Sequence, residues 1–165
     1  MAGSHLPPLF SERVNVVIFY DFEVFKEDWL AVFIDVTKKK EYVIINNPDE
    51  LKALYEANSK DIWVGYNNRH YDQYIFKGIL LGMNPKRIND WIIVEKKEGW
   101  QFSSVFNKVP MINYDVMPNP PVGLKTLEGF LGSNIKETDV DFRINRKLTK
   151  EEIEMTVFYC RHDVE

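Results

Sequence analysis

The sequence predicts an α/β domain: a mixed sheet of five strands with helices packed on it. Three observations carry this. Near the N-terminus, three apolar runs rich in β-branched and aromatic residues follow one another across short charged gaps. Two further apolar runs, 61–66 and 111–115, alternate with segments that bear helix-start signals. The 165 residues are 45% hydrophobic and 14% aromatic, enough to bury one sizeable core and not comfortably two.

Taken in order, Met1-Ala2-Gly3-Ser4-His5 reads as a cloning leader and 6–13, with Pro7 and Pro8, as an extended tether. The domain is expected over 14–165. Residues 14–21, 29–36 and 41–45 read as strands, and the brevity of the gaps makes them an antiparallel meander. Asn47 suits a helix N-cap, Pro48 the first helical position and Glu50 the capping-box return. Leu51, Leu54 and Tyr55 give that helix its apolar stripe. A fourth strand is expected over 61–66, a turn at Asn67-Asn68-Arg69, and a helix over 71–81 ended by Gly82. Residues 85–95 could be helix, although Trp91-Ile92-Ile93-Val94 reads equally well as strand. A fifth strand is expected over 111–115, a proline-rich loop over 118–121, and a short helix over 124–131 closed by Gly132. Residues 133–148 are polar and of mixed charge, with no assignable structure. Thr149-Lys150-Glu151-Glu152 is a capping box that opens the last helix.

The net charge is −4 and the pI near 5.5, which argues against a protein that holds nucleic acid by bulk positive charge. It does not exclude an enzyme acting on nucleic acid through a site that is itself acidic and metal-loaded. Lys86-Arg87, Lys96-Lys97 and 143–147 are local basic patches that read first as solvated surface. The one cysteine, Cys160, provides no disulfide framework and no zinc-ligand spacing, which fits a reducing cytoplasm. No apolar run is long enough to span a membrane, and no signal peptide is evident.

The chemistry lies in the acids. Asp21 and Glu23 follow a buried strand one residue apart, so both side chains point to one face. Like charges held that close repel unless a cation intervenes, and oxygen ligands suit a hard ion such as Mg²⁺ or Mn²⁺. Asp72 sits at the start of a helix just past the fourth strand. Tyr159 and Asp163 are four apart and share a helix face. Each alone has a plain reading: a wet strand end, a first-turn carboxylate satisfied by the helix dipole, a surface pair. Together they place carboxylates at ends of elements that could converge on one sheet edge.

This order and spacing resembles the DEDD exonuclease superfamily, also called DnaQ-like. Asp21-x-Glu23 matches its first motif, Asn67-x-x-x-Tyr71-Asp72 its second, and Tyr159-x-x-x-Asp163 the tyrosine version of its third. The resemblance runs from about Val14 to Glu165 and is nearest to proofreading domains of bacteriophage DNA polymerases, including the protein-primed family-B type. Gly123-Leu124-Lys125-Thr126-Leu127 resembles a further motif, with Gly123 where the family has Ser or Thr. Lys136 matches a family lysine, although the spacing to Val140 is one residue longer.

The resemblance implies an RNase H-like fold and metal-dependent hydrolysis of single-stranded DNA from its 3′ end, releasing nucleoside monophosphates. It implies two divalent ions, Mg²⁺ or Mn²⁺, roughly 3.5–4 Å apart, held by Asp21, Glu23, Asp72 and Asp163. Tyr159 would orient the attacking water, since a tyrosine hydroxyl is a poor general base at neutral pH. Asn67, Tyr71, Leu124 and Lys136 would contact the strand, and Phe22 would pack in the core. A polymerase domain is expected to follow, which makes the chain a piece of a longer protein whose last helix normally continues. Two rival expectations remain: a free-standing DEDD nuclease acting on RNA or oligonucleotides, and a DnaQ-like module that binds nucleic acid with little or no catalysis.

Overall fold

The computed structural model describes residues 15–118 and 140–165. The expected helix over 124–131 and the expected contacts Leu124 and Lys136 lie outside the described residues.

Strands β1 (Val17–Val24), β2 (Trp29–Asp35) and β3 (Lys40–Ile45) form the antiparallel meander that the short gaps require. Helix α1 (Pro48–Ala57) follows, and the Asn47 side chain accepts from the Glu50 N–H at 3.1 Å as its N-cap. It carries the chain across so that β4 (Ile62–Gly65) joins β1 in parallel. Helix α2 (Asp72–Leu80) begins one residue later than expected, with Tyr71 at the N-cap position. Gly82 closes the turn after it in the left-handed region, φ 78°.

Between α2 and the last strand lie α3 (Pro85–Asn89), a π-helical turn (Asp90–Val94) and two 3₁₀ turns (Gly99–Gln101 and Ser104–Lys108). Residues 85–95 thus resolve as helix. Asn84 caps α3 by accepting from the Lys86 N–H, and the wider π turn is closed by Glu95 N–H on Asp90 C=O at 2.9 Å. Strand β5 (Ile112–Asp115) pairs in parallel with β4, which gives the sheet order β3-β2-β1-β4-β5. Helix α4 (Lys150–Val164) starts at the expected capping box, with Thr149 and Glu152 bonding reciprocally.

Alternation along β1 divides the core. Ile18, Tyr20, Phe22 and Val24 are buried on one face, with Phe33, Trp63, Ile75 and Phe76. Ring contacts such as Trp63–Phe76, 5.1 Å between centroids at 80°, order this layer. Phe22 is in the core, as expected. On the other face Leu30 and Val32 meet Cys160 and Val164 of α4. Residues 140–148, without assignable structure in the sequence, run as bends that bury Val140 and Leu148 against Phe25. The result is a five-stranded mixed sheet with helices on both faces.

Candidate active site

The site forms where β1 outruns its neighbour. The ladder with β4 ends at Phe19↔Val64, while the ladder with β2 continues to Val24↔Trp29. Past Phe19 one edge of β1 is therefore open to side chains. There the Phe22 N–H donates to Asp72 Oδ1 at 3.0 Å. This bond fixes the first residue of α2 between Asp21 and Glu23 in the strand, and satisfies an amide that the sheet leaves over.

Asp21 and Glu23 lie half-buried on the α4 face, side by side as period two demands. Asp72, buried at 4% exposure, comes from the α2 face and lies against the Asp21 carboxyl. Burial first, then the Asp21 charge, push the Asp72 carboxyl well above its usual range, against the Phe22 N–H, which lowers it.

Cys160, fully buried on α4, has its sulfur 3.5 Å from both the Asp21 carbonyl oxygen and Asp21 Oδ2. Ligand atoms of Asp21, Glu23 and Cys160 lie within 4.8 Å of one another. Burial, then Asp21 and Glu23, push the thiol well up. Nothing in the spacing singled out this cysteine. The one available signal was its position in the apolar stripe Ile153, Val157, Cys160, Val164 at helical intervals.

Tyr159 and Asp163 are half-buried on the same helix, on either side of Cys160 in sequence. Asp163 is not part of the 4.8 Å group, and Asp72 is joined to that group through Asp21. Two contacts hold α4 on the sheet. The Arg161 guanidinium bonds the Glu41 carboxylate of β3. Asp28, in the β1–β2 turn, accepts from the Leu148 N–H at 2.8 Å just before the helix.

The expected strand contacts divide. Tyr71 lies beside the acids and its hydroxyl donates to Asn89 Oδ1 at 2.5 Å. Burial, then Asp72 and Glu23, raise the pKa of that hydroxyl well above the usual value. Asn89 Nδ2 reaches Asp90 Oδ1, which also pairs with Lys86 at 3.0 Å. A cleft of about 290 Å³ opens here, lined by Glu23, Tyr71, Lys86, Asn89, Ile93 and Phe142. Phe142 is stacked on Phe25 at 4.9 Å.

Asn67 adopts a left-handed backbone, φ 57°, which asparagine tolerates better than most residues. Its N–H, with those of Arg69 and Met117, bonds the Asp115 carboxylate. Asn68, fully buried, ties the turn to Asn113 and to the Tyr114 carbonyl of β5. The first asparagine thus shapes the turn through its backbone, and the second through its side chain.

As a donor set, the Asp21 and Glu23 carboxylates fit a hard divalent cation, with the Cys160 sulfur as the third ligand atom within reach and Asp72 joined through Asp21. Such a charge would relieve the repulsion between the Asp21 and Asp72 carboxyls. Comparison with family models, curated proteins and solved structures returns no match.

Proposed function

We propose that this chain is a metal-dependent 3′–5′ exonuclease of RNase H-like, DnaQ-like type. Its substrate would be a single-stranded DNA end, released as nucleoside monophosphates in the proofreading service of a phage-type polymerase in the cytoplasm. One observation supports this above the rest. Asp21, Glu23 and Asp72, from motifs about 50 residues apart, meet at an open strand edge beside a cleft lined by Tyr71. The five-stranded mixed sheet flanked by helices is compatible with the proposed fold. No described helix is long and apolar enough to cross a membrane.

In this reading Asp21, Glu23, Asp72 and Asp163 hold the divalent ions. Bound there, the ions would supply the positive charge that offsets the scissile phosphodiester and activates water for in-line attack. The chain's own residues do the rest. The Phe22 N–H aims the Asp72 carboxylate. Tyr159 orients water through its hydroxyl. The cleft beside Glu23 takes the terminal nucleoside, with Phe142 and Ile93 as apolar walls and Lys86 near its phosphate. A frayed end enters more readily than a paired one, which favours mismatched termini.

The test is cleavage of a 5′-labelled single-stranded oligonucleotide by the chain and by its Asp21→Ala/Glu23→Ala variant, with Mg²⁺, Mn²⁺ or EDTA. The expected result is a metal-dependent ladder that shortens from the 3′ end and is absent in the variant. Equal cleavage by the two proteins would overturn the reading. So would oligonucleotide binding by both without any hydrolysis, which is the signature of a binding module.

A further inference from the structure

A second polar cleft lies outside the acid cluster. It occupies about 530 Å³ between α2 and the two 3₁₀ turns, and Gln73, Lys77, Trp100, Ser104 and Asn107 help line it. Its floor is firmly built. Gly99 is buried against the Tyr74 ring, so closely that a β-carbon there would come within 2.2 Å of it. Tyr74 in turn packs on Phe106, 5.3 Å between centroids. This contact sets the first 3₁₀ turn down on α2 and leaves the next residue, Trp100, standing at the rim with 62% of its surface exposed. Among the described residues no ring or hydrogen-bond partner covers the indole.

Lys77 is the other unusual member. It is half-buried, and its ammonium donates to Gln73 Oε1 at 3.3 Å. Among the described residues it has no carboxylate partner, and burial lowers its pKa. In a chain of net charge −4, a partly desolvated cation without a counter-anion marks a place where a ligand's negative charge is favoured. Gln73 connects the cleft to the acid site, because its amide donates to the Arg69 carbonyl at 2.6 Å in the turn before Asp72. Along α2, Lys77 lies nearly one and a half turns beyond Asp72, about 7.5 Å of axial rise at about 1.5 Å per residue.

A cation, an exposed indole and small polar groups in one groove are what single-stranded nucleic acid needs: charge for the backbone and a flat face for a base. Resting on the exonuclease reading of the acid cluster, we infer that this cleft carries the body of the single strand whose 3′ end lies at the acids. Lys77 meets a backbone phosphate and Trp100 stacks a base.

Binding measured in EDTA separates this from catalysis. The full chain is titrated with an oligothymidylate of about a dozen nucleotides, and tryptophan fluorescence is followed at several salt concentrations. Quenching is expected in the wild type and lost in Trp100→Phe, which retains a stacking ring and most of the affinity. Trp100→Ala weakens binding about five- to hundredfold. Lys77→Met reduces the slope of log Kd against log salt by about 0.7, and Lys77→Arg restores it. A fold defect would lower affinity without moving that slope, and the Phe and Arg variants keep the ring and the cation respectively. Quenching that persists in Trp100→Phe, or an unchanged salt slope in Lys77→Met, would overturn the inference. Tripolyphosphate binding as tightly as the oligonucleotide would also overturn it, leaving an anion pocket only. A chain that binds as expected but never cleaves keeps the track and loses the exonuclease. A chain that cleaves while its variants bind like wild type does the reverse.

Discussion

Asp28 is the sharpest place to perturb the molecule, because one carboxylate joins the β1–β2 turn to the segment that launches α4. It is buried at 6% exposure. It accepts from Asn46 Nδ2 at 2.7 Å, the Leu148 N–H at 2.8 Å and Lys147 Nζ at 3.3 Å. Asp28→Ala removes all three bonds. Losing charged hydrogen bonds of about 1.5–3 kcal/mol, and leaving the buried Leu148 N–H unpaired, points to a loss of about 3–4 kcal/mol. The Lys147 contribution is small, because that side chain is 71% exposed. For a chain of this length the loss corresponds to a fall in Tm of about 10 °C.

The pH dependence has a defined sign. Burial tends to raise the Asp28 pKa, but the Leu148 N–H, the Asn46 amide and the Lys147 ammonium outweigh it, and the net shift is downward. A carboxyl with a depressed folded pKa contributes stability above its unfolded value, about 3.9, and loses it as pH falls through the folded value. Urea unfolding of wild type and Asp28→Ala at neutral, mildly acidic and strongly acidic pH should therefore show a gap constant down to about pH 5 that narrows below about pH 4. A gap under about 1 kcal/mol at neutral pH, or one that does not narrow in acid, would refute the assignment of the anchor.

Further expectations follow from the same geometry. Gly65→Ala places a β-carbon 2.8–3.0 Å from the side chain of Asn68. That side chain is buried and bonded to β5, so it cannot retreat, and denaturant unfolding should show a loss of about 1–3 kcal/mol. Asp72→Asn keeps an acceptor for the Phe22 N–H and removes a buried acid from beside Asp21. It should raise Tm in EDTA at neutral pH while abolishing hydrolysis, and a lower Tm would count against crowding among the acids. Mn²⁺ at about a hundred times its Kd should stabilise the wild type by about 2.7 kcal/mol. In Asp21→Ala/Glu23→Ala a thermal melt should show no such gain. Thr149→Ala breaks the capping box of α4 and should cost about 1 kcal/mol in thermal unfolding.

Much of the sheet was legible because its signals are local. The shared face of Asp21 and Glu23 follows from their spacing, although β1 runs on through both to Val24 where the expected strand stopped at 21, and the caps at Asn47 and Thr149 are written within four residues. The placement of Asp72 was legible only as a motif. Its anchoring to the Phe22 N–H depends on β4 ending early, which no spacing reveals. No local signal marks residues 99–108, because their order comes from Gly99 and Phe106 packing on Tyr74, a tertiary effect. In sequence Asp28 looks like an ordinary turn acid and Asp115 like the end of a strand. Their importance lies in partners 120 and 48 residues away. The π turn after α3 was seen only as an ambiguity between helix and strand at Trp91-Ile92-Ile93-Val94.

The contact of Cys160 with Asp21 spans 139 residues, and this separation has a consequence in time. At about 5–20 residues per second, a ribosome that has made Asp21 takes about 7–28 s more to reach Cys160. Throughout that interval the first strand can pair with β2, yet its acidic face lacks α4. The nascent chain therefore exposes Leu30 and Val32 beside two bare carboxylates, a surface open to chaperones and to stray cations. The last helix completes the second half of the core and the neighbourhood of the acids in one event. Assembly of the site is thereby linked to the end of this stretch of synthesis, and a nascent chain halted before α4 is made would hold the first two acidic motifs without the Cys160 wall against Asp21.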